Sequence, residues 1–483
     1  MVEDALVVPR KVIVRQEHTM RLAQIYRLLL VAHAAVLLVL SLGVAADDVV
    51  DDSAVRRWIA RLDADRKADR QRAEEELLKL GPAALQWLPE PGVLGSRSAS
   101  EAVRRVRAKL ERQKAESAVE ATRLTIGGTR TVAELLPRLS HDTGNLVVAE
   151  ELPKDWLAGL VELPEKPTFW EAIEALGKQQ RVTWRCEATP ARLRLLPRDA
   201  KTDGHDSPTD VVAATSSKAF RVALRSARAR DVVGESKQQL MRLEIDVTSE
   251  PRLRPLFLKC ATADVQVSGR RSSGSDDAAR AEPWAPFSPD SKLEVTFGQG
   301  RRQLSFPVDF RLPDGGGWKS LSLSGTLHLE TAAAEEPIDF PLGADSRGVS
   351  RRRGGVTVKI EHGQIEADSK DRSLTVRATV AYDSGGPAFE SHRSWMLYNV
   401  AGLVRPAAAA QPDVNGGGAS EAELLKPTDS QSELQPNGSI AVTYRFANLP
   451  RAAGEYSFRY VAPTLILDVP VEFEWRKVVL PSR

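Results

Sequence analysis

From Ala219 onward the chain places apolar residues at every second position, and that period constrains what this half can become. The runs are Phe220, Val222, Leu224; Leu243, Ile245, Val247; Leu293, Val295, Phe297; Leu304, Phe306, Val308, Phe310; and Leu321, Leu323, Leu327, Leu329. Successive side chains of a strand point to opposite faces, so such alternation buries one face and wets the other. Many short runs of this kind, parted by Gly, Pro, Ser and Asp, predict β-sandwich layers. The plan also recurs. Phe220-Arg-Val-Ala-Leu224 is echoed by Val356-Thr-Val-Lys-Ile360, Leu243-Glu-Ile-Asp-Val247 by Leu374-Thr-Val-Arg-Ala378, and Leu293-Glu-Val-Thr-Phe297 by Ile440-Ala-Val-Thr-Tyr444. Kept order at similar offsets predicts a duplication: two tandem β-sandwich domains, 218–343 and 355–480, joined by a linker at 344–354. Polar insertions at 269–290 and 406–437 are expected as surface loops, where binding functions tend to sit.

The chain ahead of this is different. Residues 53–120 are rich in Arg, Glu, Ala, Leu and Lys, with Val55, Trp58, Ile59 and Leu62, then Ala73, Leu77 and Leu80, at helical spacing. Gly81-Pro82 stops the second run, and a third follows Ser100 with Val103, Val106 and Leu110 on one face. The phrase from Arg70 to Leu88 resembles the helix-turn-helix unit of HEAT-like repeats. About one and a half units are present, whereas such arrays need roughly three or more to stand alone.

Residues 122–197 read as a small α/β module in the order β-α-β-β-α-β-β. Leu124-Thr-Ile126 is the first expected strand, followed by a Gly127-Gly128 turn; Thr131-Val-Ala-Glu134 and Thr168-Phe-Trp-Glu171 are capping boxes that open two helices. Leu146-Val-Val148, 157–163, Val182 to Cys186 and Leu193 to Leu195 supply the other strands, while Pro137 is expected to kink the first helix. The phrases Thr131-Val-Ala-Glu134-Leu-Leu, Thr143-Gly-Asn145-Leu-Val-Val148 and Phe169-Trp-Glu-Ala-Ile-Glu-Ala-Leu176 resemble the secretin and TonB-receptor short N-terminal (STN) domain. That resemblance covers under a sixth of the chain. It implies a recognition module that binds other proteins and carries no catalytic residues. Residues 198–217 are polar and read as a linker.

The stretch 20–46 has a basic start at Arg21 and Arg27, an apolar core from Leu28 to Leu42, and a small-residue end at Val44-Ala45-Ala46. This is the order of a secretory signal peptide, so 1–46 is expected to be removed; translation from Met20 accounts for the polar residues ahead of it. The alternative is an uncleaved membrane anchor, since the core approaches the roughly 18 residues that span a bilayer. The expected location is exported, periplasmic or extracellular, with membrane attachment only through a retained signal segment. With 67 basic against 65 acidic residues the net charge is +2, which gives no strong pull toward nucleic acid. Hydrophobic content of 42% and charged content of 27% are those of an ordinary globular chain. Two cysteines, Cys186 and Cys260, sit in apolar runs, where buried thiols are the expected state and a disulfide the alternative.

Catalytic constellations do not emerge from the sequence. Ser140-His141-Asp142 is adjacent only in sequence, whereas a triad is assembled in space. No Gly-x-Ser-x-Gly, Walker, His-Glu-x-x-His or Cys-x-x-Cys pattern occurs, so no cofactor or metal is expected. Arg301-Arg302 and Arg351-Arg-Arg353 are local basic spots, readable as contacts for anionic polymer or as routine loop charges. Tyr444, Tyr456, Phe458, Tyr460, Phe473 and Trp475 are expected in the core. The richest remaining cluster is Glu390, Ser391, His392, Arg393 and Trp395, a polar or carbohydrate-facing binding site, or else a solvated loop leading into a strand. The expectation is an exported, non-catalytic binding or scaffold protein of the bacterial envelope, its partner a protein or cell-wall polymer. The alternative is an exported hydrolase acting on glycan or peptide near His392.

Overall fold

The computed structural model describes residues 52–89, 93–188, 191–198, 211–271, 281–298, 300–314, 317–342, 347–367, 372–383, 399–405, 424–449 and 455–480. The stretch 20–46 lies outside them. The fold is mainly β, with several sheets. Two compact units make it up, Met1–Val106 and Arg107–Arg483.

In the first unit, α1 (Asp52–Arg61) and α2 (Lys67–Lys79) precede α3 (Arg97–Ala118), which runs on into the second unit. Val55, Leu62, Ala73 and Leu77 are buried, and the guanidiniums of Arg57 and Arg61 lie over the Trp58 ring. The helix-turn-helix expected over 70–88 lacks its second α-helix, because Gly81 turns left-handed at φ 71 and Pro82–Gln86 closes only a 3-10 turn. The positive φ of Gly81 ends the ladder of α2, and the turn after it stops at Trp87 without continuing as an α-helix.

The second unit opens with the α/β module. Its elements are β1 (Gly128–Thr131), α4 (Val132–Thr143), β2 (Val147–Val148), a 3-10 turn Lys154–Ala158, β3 (Leu160–Leu163), α5 (Phe169–Gln180), β4 (Val182–Ala188) and β5 (Ala191–Pro197). Both helices start at complete capping boxes, Thr131 with Glu134 and Thr168 with Glu171, and α4 continues through Pro137. One sheet pairs β1 with β3 and the other runs β2-β5-β4; Leu135, Leu139, Trp170, Ile173, Trp184, Leu193 and Leu195 fill the core of the module.

Two expected strands move. The first lies at Gly128–Thr131, not at 124–126, because Leu124 turns into the core and its N–H is tied to Pro167 O. The third starts only at Leu160, because the 3-10 turn takes up Leu157. Gln179 and Gln180 of α5 then cap the outer edge of β3: the Gln179 amide both accepts from the Glu162 N–H at 2.8 Å and donates to its carbonyl at 3.0 Å, and Gln180 donates to Leu160 O. Side-chain amides thus stand where another strand would pair.

Beyond the module the regular elements among the described residues are strands, apart from a 3-10 turn at Thr262–Asp264. β6 (Ala213–Ser217), β7 (Phe220–Val232), β8 (Glu235–Ser249), β9 (Arg254–Ala261), β10 (Val265–Arg271), β11 (Glu282–Trp284), β12 (Lys292–Thr296), β13 (Gln303–Leu312) and β14 (Trp318–Pro341) come first. After them come β15 (Ser350–Arg353), β16 (Val356–Ala367), β17 (Arg372–Tyr382), β18 (Ala401–Val404), β19 (Asp429–Leu434), β20 (Ile440–Phe446) and β21 (Ser457–Val479). A four-stranded sheet runs β13-β8-β7-β6 and a five-stranded sheet β15-β16-β17-β20-β19. Between them stands a seven-stranded sheet, β11-β10-β14-β21-β18 with β9 and β12 alongside.

Two cores follow from this layering. The first gathers Phe220, Leu243, Ile245, Phe306 and Phe310 from the four-stranded sheet with Leu258, Leu323, Leu329, Val471 and Trp475 from the seven-stranded one. The second gathers Val358, Ile360, Val376 and Tyr444 from the five-stranded sheet with Phe257, Phe340, Phe458 and Tyr460. Odd-numbered Leu327 and Leu329 of β14 enter the first core and even-numbered Ala332, Ile338 and Phe340 the second, so the cores lie on opposite faces of the seven-stranded sheet. The chain does not divide cleanly at 344–354: β15 lies there, and β14 and β21 each serve both cores. The aromatic residues expected inside, from Tyr444 to Trp475, are all buried.

Candidate functional site

Glu390, Ser391, His392, Arg393 and Trp395 fall in 384–398, outside the described residues. The other polar groups singled out in the sequence do separate jobs. Ser140 Oγ accepts the Val147 N–H, whereas Asp142 accepts both the N–H and the hydroxyl of Thr125, at 2.9 and 2.6 Å, and pairs with the exposed His141. Burial works against the Asp142 charge, but the bonds from Thr125 and His141 prevail and bring its pKa down to about 2. These three residues fasten the end of α4 rather than form a relay. Arg352 bonds Glu111 of α3 and Asp383, which raises its pKa against the effect of burial, and Arg351 lies over the Phe340 ring. Arg302 is not a surface charge at all, at 2% exposure.

Arg302 belongs to a polar seam that the sequence reading missed. Its first part joins the α/β module to the first β core. Ala219, at the foot of β7, receives the Trp170 indole N–H and the Glu250 N–H on its carbonyl, and gives its own N–H to Val119 O. Glu250, fully buried, accepts from the Thr122 N–H at 3.1 Å, the Thr122 hydroxyl at 2.8 Å, Asn145 Nδ2 at 3.0 Å and Arg252 Nε at 2.8 Å. Asn145 Oδ1 in turn accepts the Arg252 N–H, and the Arg252 guanidinium reaches the carbonyls of Ala118 and Glu120. Beside this, the buried Arg221 donates to Glu174 of α5 at 2.6 Å and stacks on Trp184.

The second part joins the two β cores. Glu335 of β14 accepts from Arg254 and from Arg302, each at 2.8 Å; Arg254 also donates to Asn399 Oδ1, and Asn399 Nδ2 donates to the Tyr460 hydroxyl at 2.6 Å. Arg302 closes the seam by donating to Pro251 O and Gly300 O. Burial sets the protonation here. It pushes the Tyr460 hydroxyl up to about 12, and the Cys186 thiol also up to about 12 despite the positive charge of Arg302 and Arg221. Cys260 rises to about 11, again through burial, and both cysteines are free. Guanidiniums do not lose protons, and these thiols and phenols hold theirs, so the seam is built to hold layers together. Among the described residues no group of three His, Cys, Asp or Glu side chains is arranged to hold a metal ion. Nor is any helix among them long and apolar enough to cross a membrane.

One signal of the seam was available. Glu250-Pro-Arg-Leu-Arg254 sets three charges in a tight turn between two apolar strands, and Asn145 stands inside the phrase Thr143-Gly-Asn145. Their partners beyond the turn lie 81 to 145 residues away in sequence, which spacing does not reveal. No protein-family model matches the chain, and comparison with curated proteins finds no similar one.

Proposed function

We propose that the chain is an exported, non-catalytic binding or scaffold protein of the bacterial cell envelope that recognises a protein or a cell-wall polymer. In this reading 122–197 is an STN-like recognition module, 53–120 a HEAT-like helical segment, and 218–480 a β frame of two cores built on one shared sheet. The observation that carries it is the seam: the buried ions Glu250 and Arg221 and the half-buried Arg252 bond across from the β strands to Asn145, Glu174, Ala118 and Glu120, so the module is mounted on the β frame as a rigid part. A rigid mount suits a surface that must present itself to a partner without losing the entropy of ordering at each encounter. The signal-like stretch 20–46 supplies the export.

The test uses the chain from Asp47 as bait in envelope extract, alongside co-sedimentation with purified insoluble cell wall. Saturable capture of one protein, or saturable sedimentation with the wall, is expected. Release of soluble glycan or peptide fragments, abolished by His392→Ala, would replace this reading with the hydrolase. Capture of nothing above a control protein would end the binding hypothesis.

A further inference from the structure

The two longest strands, β14 and β21, pair antiparallel in one unbroken register from Leu323↔Trp475 to Pro341↔Ser457. Each stands last in its half of the β region. Ahead of β14, β6, β7, β8 and β13 lie side by side; ahead of β21, β15, β16, β17 and β20 lie side by side in the same order. On the other layer, β9 and β10 flank β14 as β18 flanks β21.

Setting Trp318, the first residue of β14, on Ser457, the first of β21, lays the first-core half of β14 on the second-core half of β21. The pair Leu329↔Val469 then falls on Glu330↔Asp468. Leu321 and Leu323 of the first core fall on Tyr460 and Ala462 of the second, and Val471 of the first core falls on Ala332 of the second. On both strands, then, odd positions from Leu321 to Leu329 and from Val469 to Trp475 face the first core, and even positions from Ala332 to Phe340 and from Phe458 to Ala462 face the second, as an approximate two-fold axis requires. Strand β12 breaks it: β12 pairs with β9, whereas β19, next in order before β20, pairs with β20 itself.

We infer that the second β half is a copy of the first, that the copies have exchanged the far ends of their last strands, and that the two cores consequently open only together. The first core takes Val469, Val471, Phe473 and Trp475 from the second copy, and the second core takes Ala332, Ile338 and Phe340 from the first. Opening either core strips a run of buried side chains from a strand whose other end is held in the remaining core. β14 passes between the cores from Leu329 to Ala332, and the Glu335 clamp on Arg254 and Arg302 lies just beyond that crossing.

This inference is independent of what the chain binds. It is tested by peptide-resolved hydrogen exchange on the whole chain with Phe340→Leu, in the second core, and Leu327→Ala, in the first. The slowest amides of β7–β8 and of β16–β17 are the readouts. Each variant is expected to speed both sets by the same factor, roughly tenfold or more, as for amides that exchange through one shared opening. Acceleration confined to the substituted core overturns the inference. Ile338→Val provides the same reading should Phe340→Leu fail to fold.

Discussion

Single side chains in this protein act mostly by what they join. Glu250 accepts four donors in a site without water access, so replacing one of its oxygens by an amide sets donor against donor. Glu250→Gln is expected to cost about 2–4 kcal/mol in urea unfolding, the range for breaking a buried charged network by one partner. A loss below about 0.5 kcal/mol, as for a surface change, would mean that the module does not depend on this clamp. Asp142 offers a pH test. Its folded pKa is depressed from 3.8 to about 2, so its stabilising contribution is complete above the ordinary value and is lost as pH falls toward about 2. Glu187, drawn from 4.5 to about 2 by Arg194 and Arg192, adds to the same window. Stability is thus expected to fall as pH drops from about 5 to about 2, and Asp142→Asn should flatten that fall. An unchanged slope in the variant would exclude the Thr125 link as its source.

At the scale of elements, local chemistry and tertiary demand meet at identifiable places. Both module helices begin at capping boxes, and Thr168→Ala is expected to cost about 1 kcal/mol, measured by urea titration and rescued by Thr168→Ser. Strand β10 shows the opposite case. A methyl group on Gly269 would meet the Trp284 ring at 2.4 Å and the Trp318 ring at 2.6 Å, since the two indoles pack edge to face over that backbone. Gly269→Ala therefore has no room, and a loss of about 1–3 kcal/mol is expected from overpacking. Helix and strand periods were legible because each is a local repeat. The 3-10 turn at Pro82–Gln86 was not, because apolar spacing alone does not distinguish one turn from a helix.

For the whole molecule, the consequence lies in β21. Ending the chain at Leu467 leaves 218–343 intact in sequence but removes Val469, Val471, Phe473, Trp475 and Val478 from the first core. Such a truncation is expected to abolish the protection of β7 and β8, read by hydrogen exchange or by loss of the near-ultraviolet signal. A truncated chain with a native first core would show that the earlier strands suffice. In sequence the runs at Phe220 and Leu243 match those at Val356 and Leu374, and the strands that carry them, β7 and β8, β16 and β17, occupy matching places in their sheets. The third match, Leu293 with Ile440, joins strands of different sheets. In layer order β20 answers to β13, the strand after β12.

The amino-acid order by itself determined the mainly β class, the helix starts at Thr131 and Thr168, and the inward faces of most strands. All of these rest on interactions within about four residues or on a period of two. Only the tertiary structure decided where Glu250, Glu335 and Arg302 go, and that β14 and β21 each serve two cores. Those outcomes depend on pairings such as Asn145 with Glu250 and Arg254 with Asn399, across 105 and 145 residues of chain, which local patterning does not encode. In β14 the buried positions shift from Leu327 and Leu329 to Ile338 and Phe340, from odd to even, and this was written in the sequence all along. Its meaning, a strand passing from one core to another, exists only once a second sheet covers the other face.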